Sequence, residues 1–374
     1  MSSRRAPRVL ITGGGTGGHV YPAISIADAI MKKRADAVVS FAGSPDKIEW
    51  KAVPGAGYPI HPITVQGLQR KLTAQNLVMP FKVIKGLRES VSLIQQFDAD
   101  VVVGTGGYVA LPVLLAARYL VRPILIQEQN AFMGLTNRVA SKFASSIHLA
   151  FDEATPSKSK ARVSLSGNPV RSNLAVADPD EGRAFYEMEG VDHVLFVFGG
   201  SMGSQALNEA MAEALNKLLS IDGLGIIWQT GTRYFERFQQ AIPTHRRLKM
   251  LKYIDRMDLA YAATDLALCR SGASTCSELM ITGTPSILVP SPNVAEDHQT
   301  KNARSMEKQD ASQVLPESAL RADLVQRVKS LLDDPKRIER MSRAASRLAR
   351  PNAADEIAED TLNLAEMRQR QGIA

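Results

Sequence analysis

At 374 residues the chain is longer than one hydrophobic core usually spans, so two domains of about 150 to 200 residues are expected. With 45% hydrophobic and 22% charged residues it has the composition of a globular protein, and its two cysteines, without CxxC or His-paired spacing, exclude a disulfide scaffold and a cysteine metal site. A net charge of +7 leaves an anionic membrane or substrate open, whereas basic residues spread along the chain without aromatic interleaving argue against nucleic acid.

The first eight residues are basic, but only a short apolar stretch follows them before glycines, so no signal peptide is predicted. Arg8–Thr12 reads as a strand. It ends in Gly13-Gly14-Gly15-Thr16-Gly17-Gly18-His19, ahead of a helical pattern over 20–33. A dinucleotide site would place an acid at the tip of the next strand, roughly 20 residues on, but the strand predicted over 37–42 ends in Gly43-Ser44. No Gly-Lys-Ser/Thr closes any glycine loop, which excludes a P-loop. The segment 77–88 interleaves apolar residues with Lys82, Lys85 and Arg88. As a helix it offers either an apolar face with a basic margin for anionic lipid, or a core-facing side with its charges in water. A strand over 99–104 ends in Gly104-Thr105-Gly106-Gly107-Tyr108, and the apolar run 109–121, broken by Pro112 and Arg118, is shorter than the ~18 residues a membrane span needs. The strand 123–127 feeds Glu128-Gln129-Asn130, then a turn into a helix at Asn137-Arg138. These polar residues suit sugar hydroxyls, or they cap and brace the loop. A strand is expected to end over 164–167, with Gly167-Asn168-Pro169-Val170-Arg171 as hinge and 172–192 as linker plus helix.

In the second half, 194–198 is a strand ending in Gly199-Gly200-Ser201-Met202-Gly203-Ser204 before a helix, Gln205–Leu219. Strands follow over 225–229 and 248–253, and a helix starts within 254–260. The stretch 268–302 reads as a strand end, a turn at Arg270-Ser271-Gly272, a short helix, a second strand and a polar loop. The free N–H groups at that helix start form an anion site, and Glu278, one turn in, can accept from a vicinal diol such as a ribose. Together they suggest a nucleotide; a capping Ser with a dipole-favourable Glu is the plainer alternative. Cys269 and Cys276 are expected to be buried thiols. Pro351 ends a helix, and Ala353–Gln371 is a last charged helix set to cross back over the first domain. Three strand, glycine loop, helix units spread over both halves imply two doubly wound sheets with ligand between them. The Asp-x-Asp pairs are poorly placed for a metal: Asp98 and Asp100 precede a strand, away from the loops, and Asp178 and Asp180 lie in the linker.

The glycine motifs at 13–19, 104–108 and 199–201, with Glu128-Gln129-Asn130, Gly167-Asn168-Pro169-Val170-Arg171 and Arg270 through Glu278, together resemble the MurG family of bacterial N-acetylglucosaminyltransferases. The resemblance runs in order over nearly the whole chain. It implies an α/β protein of GT-B fold, two Rossmann-like doubly wound domains with a cleft between them. Residues 1–171 plus 352–374 would bind the acceptor and the membrane, and 172–351 would bind UDP-GlcNAc. The implied activity is inverting transfer of GlcNAc from UDP-GlcNAc to the C4 hydroxyl of the muramyl residue in undecaprenyl-diphosphate-linked muramyl pentapeptide (lipid I). The product is lipid II, for peptidoglycan synthesis, made peripherally at the anionic cytoplasmic face of the bacterial inner membrane without cofactor or metal.

Carried over position by position, the resemblance puts Thr16, Gly17, Gly18, Asn130, Arg171, Ser201, Ile254, Ala273, Ser274, Thr275, Cys276, Ser277, Glu278 and Gln299 in the donor site. Ile254 would offer backbone and apolar contact to uracil, and Gln299 with Asn302 would read sugar hydroxyls. Gly14, Gly15, Gly106, Gly107, Tyr108 and Asn137 would hold the acceptor, its diphosphate on backbone N–H groups. An inverting reaction needs a base. His19 is the first candidate, with orientation of its loop as its alternative role, and Glu128 is the reserve. Many family members carry His before Glu-Gln-Asn; here it is Gln127, so no imidazole acts there. A UDP-GlcNAc 2-epimerase on the same fold, or a transferase acting on another lipid, are the alternatives.

Overall fold

The computed structural model describes residues 5–65, 75–170, 174 and 176–372, without side chains over 75–81 and at 295. They form two compact units, Met1–Val170 with Pro351–Ala374, and Arg171–Arg350.

The first unit alternates strand and helix: β1 (Arg8–Thr12), α1 (Gly17–Lys33), β2 (Val38–Gly43), α2 (Glu49–Gly55), β3 (Ile60–Pro62), α3 (Gln75–Phe97), β4 (Val101–Gly104), α4 (Ala110–Tyr119), β5 (Ile124–Glu128), α5 (Leu135–Ala140), β6 (Ser146–Leu149) and β7 (Arg162–Ser164). The second continues α6 (Pro179–Phe185), β8 (His193–Phe198), α7 (Gln205–Leu219), β9 (Leu224–Gln229), α8 (Phe235–Ala241), β10 (Leu248–Leu251), α9 (Met257–Ala262), β11 (Leu266–Cys269), α10 (Ala273–Thr282), β12 (Ser286–Leu288), α11 (His298–Lys308), β13 (Ser312–Val314), α12 (Leu320–Leu332) and α13 (Pro335–Leu348). The last helix, α14 (Ala353–Gln371), belongs to the first unit.

Both sheets are parallel, seven strands in the order β3-β2-β1-β4-β5-β6-β7 and six in the order β10-β9-β8-β11-β12-β13. Strands such as Val101-Val102-Val103 are buried on both faces and therefore read as unbroken apolar runs. Alternate residues still divide between two cores. Leu10, Val102 and Ile126 pack with Leu93, Ile94 and Leu114 of α3 and α4, while Val9, Ile11 and Val103 pack with Val20 and Ile26 of α1 and Ile357 and Leu362 of α14. Burying side chains of that size contributes about 1.5 to 3 kcal/mol each, which explains why a helix so late in sequence returns to this sheet.

A buried polar cluster fastens α14 further. Asp360 accepts from His148 Nε2 at 2.9 Å, from the Ser146 hydroxyl and from the Arg162 guanidinium, while Gln369 donates to Asp100 Oδ2 at 2.9 Å.

The strand orders reverse between β1 and β4 and between β8 and β11, the positions where doubly wound sheets bind ligands. Register sharpens this. Thr12 pairs with Gly104 and Phe198 with Cys269, so the loops after each pair of strands start side by side.

Three predicted elements need correction. Helix α1 starts at Gly17 rather than 20, because glycine's weak helix propensity hid a first turn that the strand-to-helix connection imposes. The strand expected to end over 164–167 is β7, Arg162–Ser164, at the sheet edge, and it stops at the first of those residues; beyond it Gly167 N–H makes a single bond to Leu149 O. The polar loop ending at 302 turns helical at His298, so Gln299 and Asn302 lie on α11. Among the described residues no helix is long and apolar enough to cross a membrane.

Candidate active site

In the first unit the loops after β1, β4 and β5 interlock through glycine. A Cβ on Gly13 would lie 1.8 Å from Thr105 Oγ1, and one on Gly107 (φ +80°) would lie 2.2 Å from Gly14 O. His19, on the first turn of α1, sits against this assembly. Its Nδ1 is 2.9 Å from Thr105 O and 3.0 Å from Gln129 Oε1. Both partners accept, so Nδ1 donates and Nε2 faces away from them. Nε2 has no hydrogen-bond partner among the described residues. Gln129 is held in turn by donating to Thr105 O at 2.7 Å and to the Gln127 side chain, which reaches Asn168 Oδ1 at 3.4 Å. Gln127 thus braces the strand tip.

Four sequence-based assignments shift here. Glu128 is buried, and its oxygens accept from Asn130 N–H (3.1 Å), Asn130 Nδ2 (3.2 Å), Gly134 N–H (3.0 Å) and Asn137 Nδ2 (2.9 Å). Four donors fill its acceptor sites, so it ties the 128–137 loop together and has no room to take a substrate proton. Asn137 is buried with its amide hydrogens on Gln127 O and Glu128, so it braces the loop, while its Oδ1 has no partner among the described residues. Gly14 N–H goes to Gly106 O at 3.3 Å and Gly15 N–H to Glu49 Oε2 at 3.0 Å, so neither is available to a phosphate. Glu49, which the sequence did not single out, is buried and also accepts from Ser44 N–H at 3.2 Å.

The N–H groups of Thr16, Gly17, Gly18, Gly106 and Gly107 have no acceptor among the described residues. The Tyr108 ring covers Gly15, its Cε1 3.2 Å from where a Cβ there would stand. Arg171 lies outside the described residues.

In the second unit, α10 opens with an N-cap glycine, Gly272, which brings no side chain, and with no acidic residue in its first turn. The N–H groups of Ala273, Ser274 and Thr275 have no acceptor among the described residues, and the helix dipole points at them. Across the switch point Ser201 is exposed, its carbonyl accepting from Thr232 N–H at 3.2 Å. Arg270 ties the loops together. It donates to Ser204 Oγ at 2.6 Å and Val289 O at 3.1 Å and pairs with Glu317. Glu278 is half-buried and accepts from the Tyr261 hydroxyl at 2.9 Å. Gln299 accepts from Ser291 N–H at 2.8 Å through Oε1, which leaves its Nε2 to donate.

Other donor assignments change. Cys276 is fully buried and burial pushes its thiol up to about 12, so the side chain meets no ligand, and Ser277 Oγ donates to Ala273 O at 2.9 Å inside the helix. Ile254 is buried and its N–H goes to Gln229 Oε1 at 2.9 Å, which leaves its carbonyl for a base. Asn302 is buried, donating to Ser271 O at 3.2 Å, and so holds the turn rather than reading a sugar.

A cavity of ≈ 510 Å³ lies beside these strand tips, lined by Gly199, Ser204, Arg270, Ser291, Asn293 and Gln299. A larger one, ≈ 710 Å³, is lined by His193, Asp265, Gly283, Pro285 and Ser342, at the amino ends of β8 and β11. That is the side on which doubly wound sheets do not bind ligand, so the smaller cavity is the relevant one. Among the described residues no group of three or more His, Cys, Asp or Glu could hold a metal ion.

Residues 9–149 match the glycosyltransferase family 28 N-terminal domain and residues 194–357 the glycosyltransferase family 28 C-terminal domain. The chain is 53% identical over 364 residues to the UDP-N-acetylglucosamine--N-acetylmuramyl-(pentapeptide) pyrophosphoryl-undecaprenol N-acetylglucosamine transferase of Salinibacter ruber, covering 97% of this chain and 98% of that one. It is 40% identical to the protein of the same name from Flavobacterium psychrophilum, covering 96% and 98%. A crystal structure of MurG from Acinetobacter baumannii superposes with a TM-score of 0.79 at 30% identity, over 96% of this chain and 99% of that one. With both family domains present in order and relatives this similar end to end, the chain belongs to glycosyltransferase family 28.

Proposed function

We propose that this chain transfers GlcNAc from UDP-GlcNAc to the C4 hydroxyl of the lipid-linked muramyl pentapeptide, with inversion, giving lipid II for peptidoglycan. The observation that carries the reading is 53% identity, over almost the full length of both chains, to a transferase of that name. The uncapped start of α10 supports it, as a seat for a diphosphate, with Ser201 opposite across the switch point. Glu278 takes the ribose diol, the Ile254 carbonyl receives the uracil N3–H, and Gln299 Nε2 donates to the sugar. In the first unit the open N–H groups of Thr16, Gly17, Gly18, Gly106 and Gly107 offer phosphate contacts, and Tyr108 covers the loop.

The base in this reading is His19. With Nδ1–H held by Thr105 O, bare Nε2 takes the proton of the attacking hydroxyl. The departing UDP carries its growing charge toward the N–H groups and dipole of α10, which stabilise it without reorganising.

Attachment is peripheral, at the cytoplasmic face of the inner membrane, through the outer side of α3. There Val83 is 53% and Ile84 50% exposed beside exposed Lys85 and Arg88, as suits an anionic lipid surface and not a fully core-facing helix. Leu77 and Phe81, which belong to the same expected face, lie outside the described side chains.

The test is UDP release from UDP-GlcNAc with and without a lipid I analogue. Acceptor-dependent release with a disaccharide product is expected; UDP-ManNAc formed without acceptor would replace the reading with epimerisation.

A further inference from the structure

Tyr261, on α9, is 3% exposed. Its ring stands edge-on to Phe196 (5.7 Å, 81°) and Phe198 (6.1 Å, 86°), two β8 residues stacked on one another at 4.4 Å. Such packing leaves the ring one position, which aims its hydroxyl at Glu278 Oε2, 2.9 Å away. Glu278 itself stands on a different element and is only half-buried, and a flexible carboxylate of this length relies on its hydrogen bonds to keep one rotamer.

We infer that Tyr261 is a positioning residue for nucleotide recognition: its buried hydroxyl fixes the Glu278 carboxylate in the orientation that accepts both ribose hydroxyls of the UDP donor. The chemistry allows it. A carboxylate has about four acceptor sites, the phenol takes one, and a vicinal diol asks for two. Burial, helped by the Glu278 charge, raises the phenol well above its ordinary range, so it remains a protonated donor at any working pH. Holding the carboxylate in advance spares its ordering cost at the moment of binding, so the benefit appears as donor affinity and ribose selectivity. The inference rests on the reading of Glu278 as ribose acceptor.

The test compares binding of UDP and 2′-deoxy-UDP to the wild type, Tyr261→Phe and Glu278→Ala by calorimetry, with donor kinetics alongside. Wild type should prefer UDP, and Glu278→Ala should lose most of that preference. Tyr261→Phe removes one oxygen from an otherwise unchanged ring. It should weaken UDP binding roughly three- to tenfold and shrink the preference by a similar factor, the loss falling on donor KM rather than kcat. The ratio of the two affinities is read on folded molecules only, so it decides even if Tyr261→Phe lowers the folded fraction. A wild-type ratio in Tyr261→Phe, with the ratio lost in Glu278→Ala, overturns the role of Tyr261. A wild-type ratio in both variants overturns the ribose role of Glu278 and the inference with it.

Discussion

The starts of α1 and α10 are built alike and finished differently. Each follows a glycine-containing turn at the carboxyl end of a central strand, each lacks a side-chain cap, and neither has an acid in its first turn. In the α1 loop, however, the protein supplies its own anion: the buried Glu49 carboxylate takes Gly15 N–H, and Gly106 O takes Gly14 N–H. At α10 nothing of the kind is present among the described residues; its first N–H groups stay open, as those of Thr16, Gly17 and Gly18 do at α1, so the difference lies in the loop ahead of the helix. Glycine content is therefore a poor guide to where an anion binds. The richer loop spends two of its donors on holding its own shape, which places His19, while the poorer one keeps its donors for ligand.

This contrast can be broken at several points. The largest effect is expected at His19, where replacement by Ala should lower kcat by roughly 10² to 10⁴ in a UDP-release assay; a change confined to KM would make it a binding residue. Acid should act on the first unit through His148. Burial first, and then the Arg162 guanidinium, push this imidazole down to about 4, against a smaller upward pull from Glu356. The unfolded imidazole takes its proton near ~6.5, so between those values the unfolded chain holds more protons. Stability is then full above about pH 6.5 and falls as the pH drops toward 4, by an amount that the Asp360 carboxylate 2.9 Å from Nε2 holds down. Denaturant titration at both ends of that window, beside the same titration of His148→Gln, measures it; an equal acid loss in the variant would exclude His148 as the cause.

Glu278→Ala should raise donor KM about 10- to 100-fold, as expected when hydrogen bonds to a charged acceptor worth roughly 1.5 to 3 kcal/mol are lost. Unchanged donor kinetics would remove it from the site. The smallest effect is predicted for Glu49→Gln, in which an amide must face two backbone donors, at a cost of about 1 to 3 kcal/mol in chemical unfolding. UDP affinity should fall less than in Glu278→Ala, since Glu49 only shapes the loop that carries Thr16, Gly17 and Gly18; a loss as large as that of Glu278→Ala would dissolve the contrast drawn here.

Much of the architecture was legible in the residues. Short apolar strands, each closed by glycine and followed by a helical period, predict parallel doubly wound sheets, and Arg8–Thr12, Gln205–Leu219 and Ala353–Gln371 have the bounds their patterns suggest. The family too was legible, because its motifs fall in order along the whole chain. Local chemistry was harder. Glu49 and Tyr261 stand in no motif, and nothing near them in sequence indicates that one meets Gly15 and the other Glu278. Ser204 does carry a local signal, a small hydroxyl at the start of a helix, where it caps Leu207 N–H at 3.4 Å and receives Arg270.

The sequence by itself determined the strand and helix pattern, the glycine turns and the family, because these depend on neighbours a few positions apart. Only the tertiary structure decided which polar groups are already satisfied. Gln299 and Asn302 look alike as polar residues of one helix until the partners that fold against them are known. A donor or acceptor serves ligand only when the fold has not used it, and that balance is set by contacts between residues far apart in the chain.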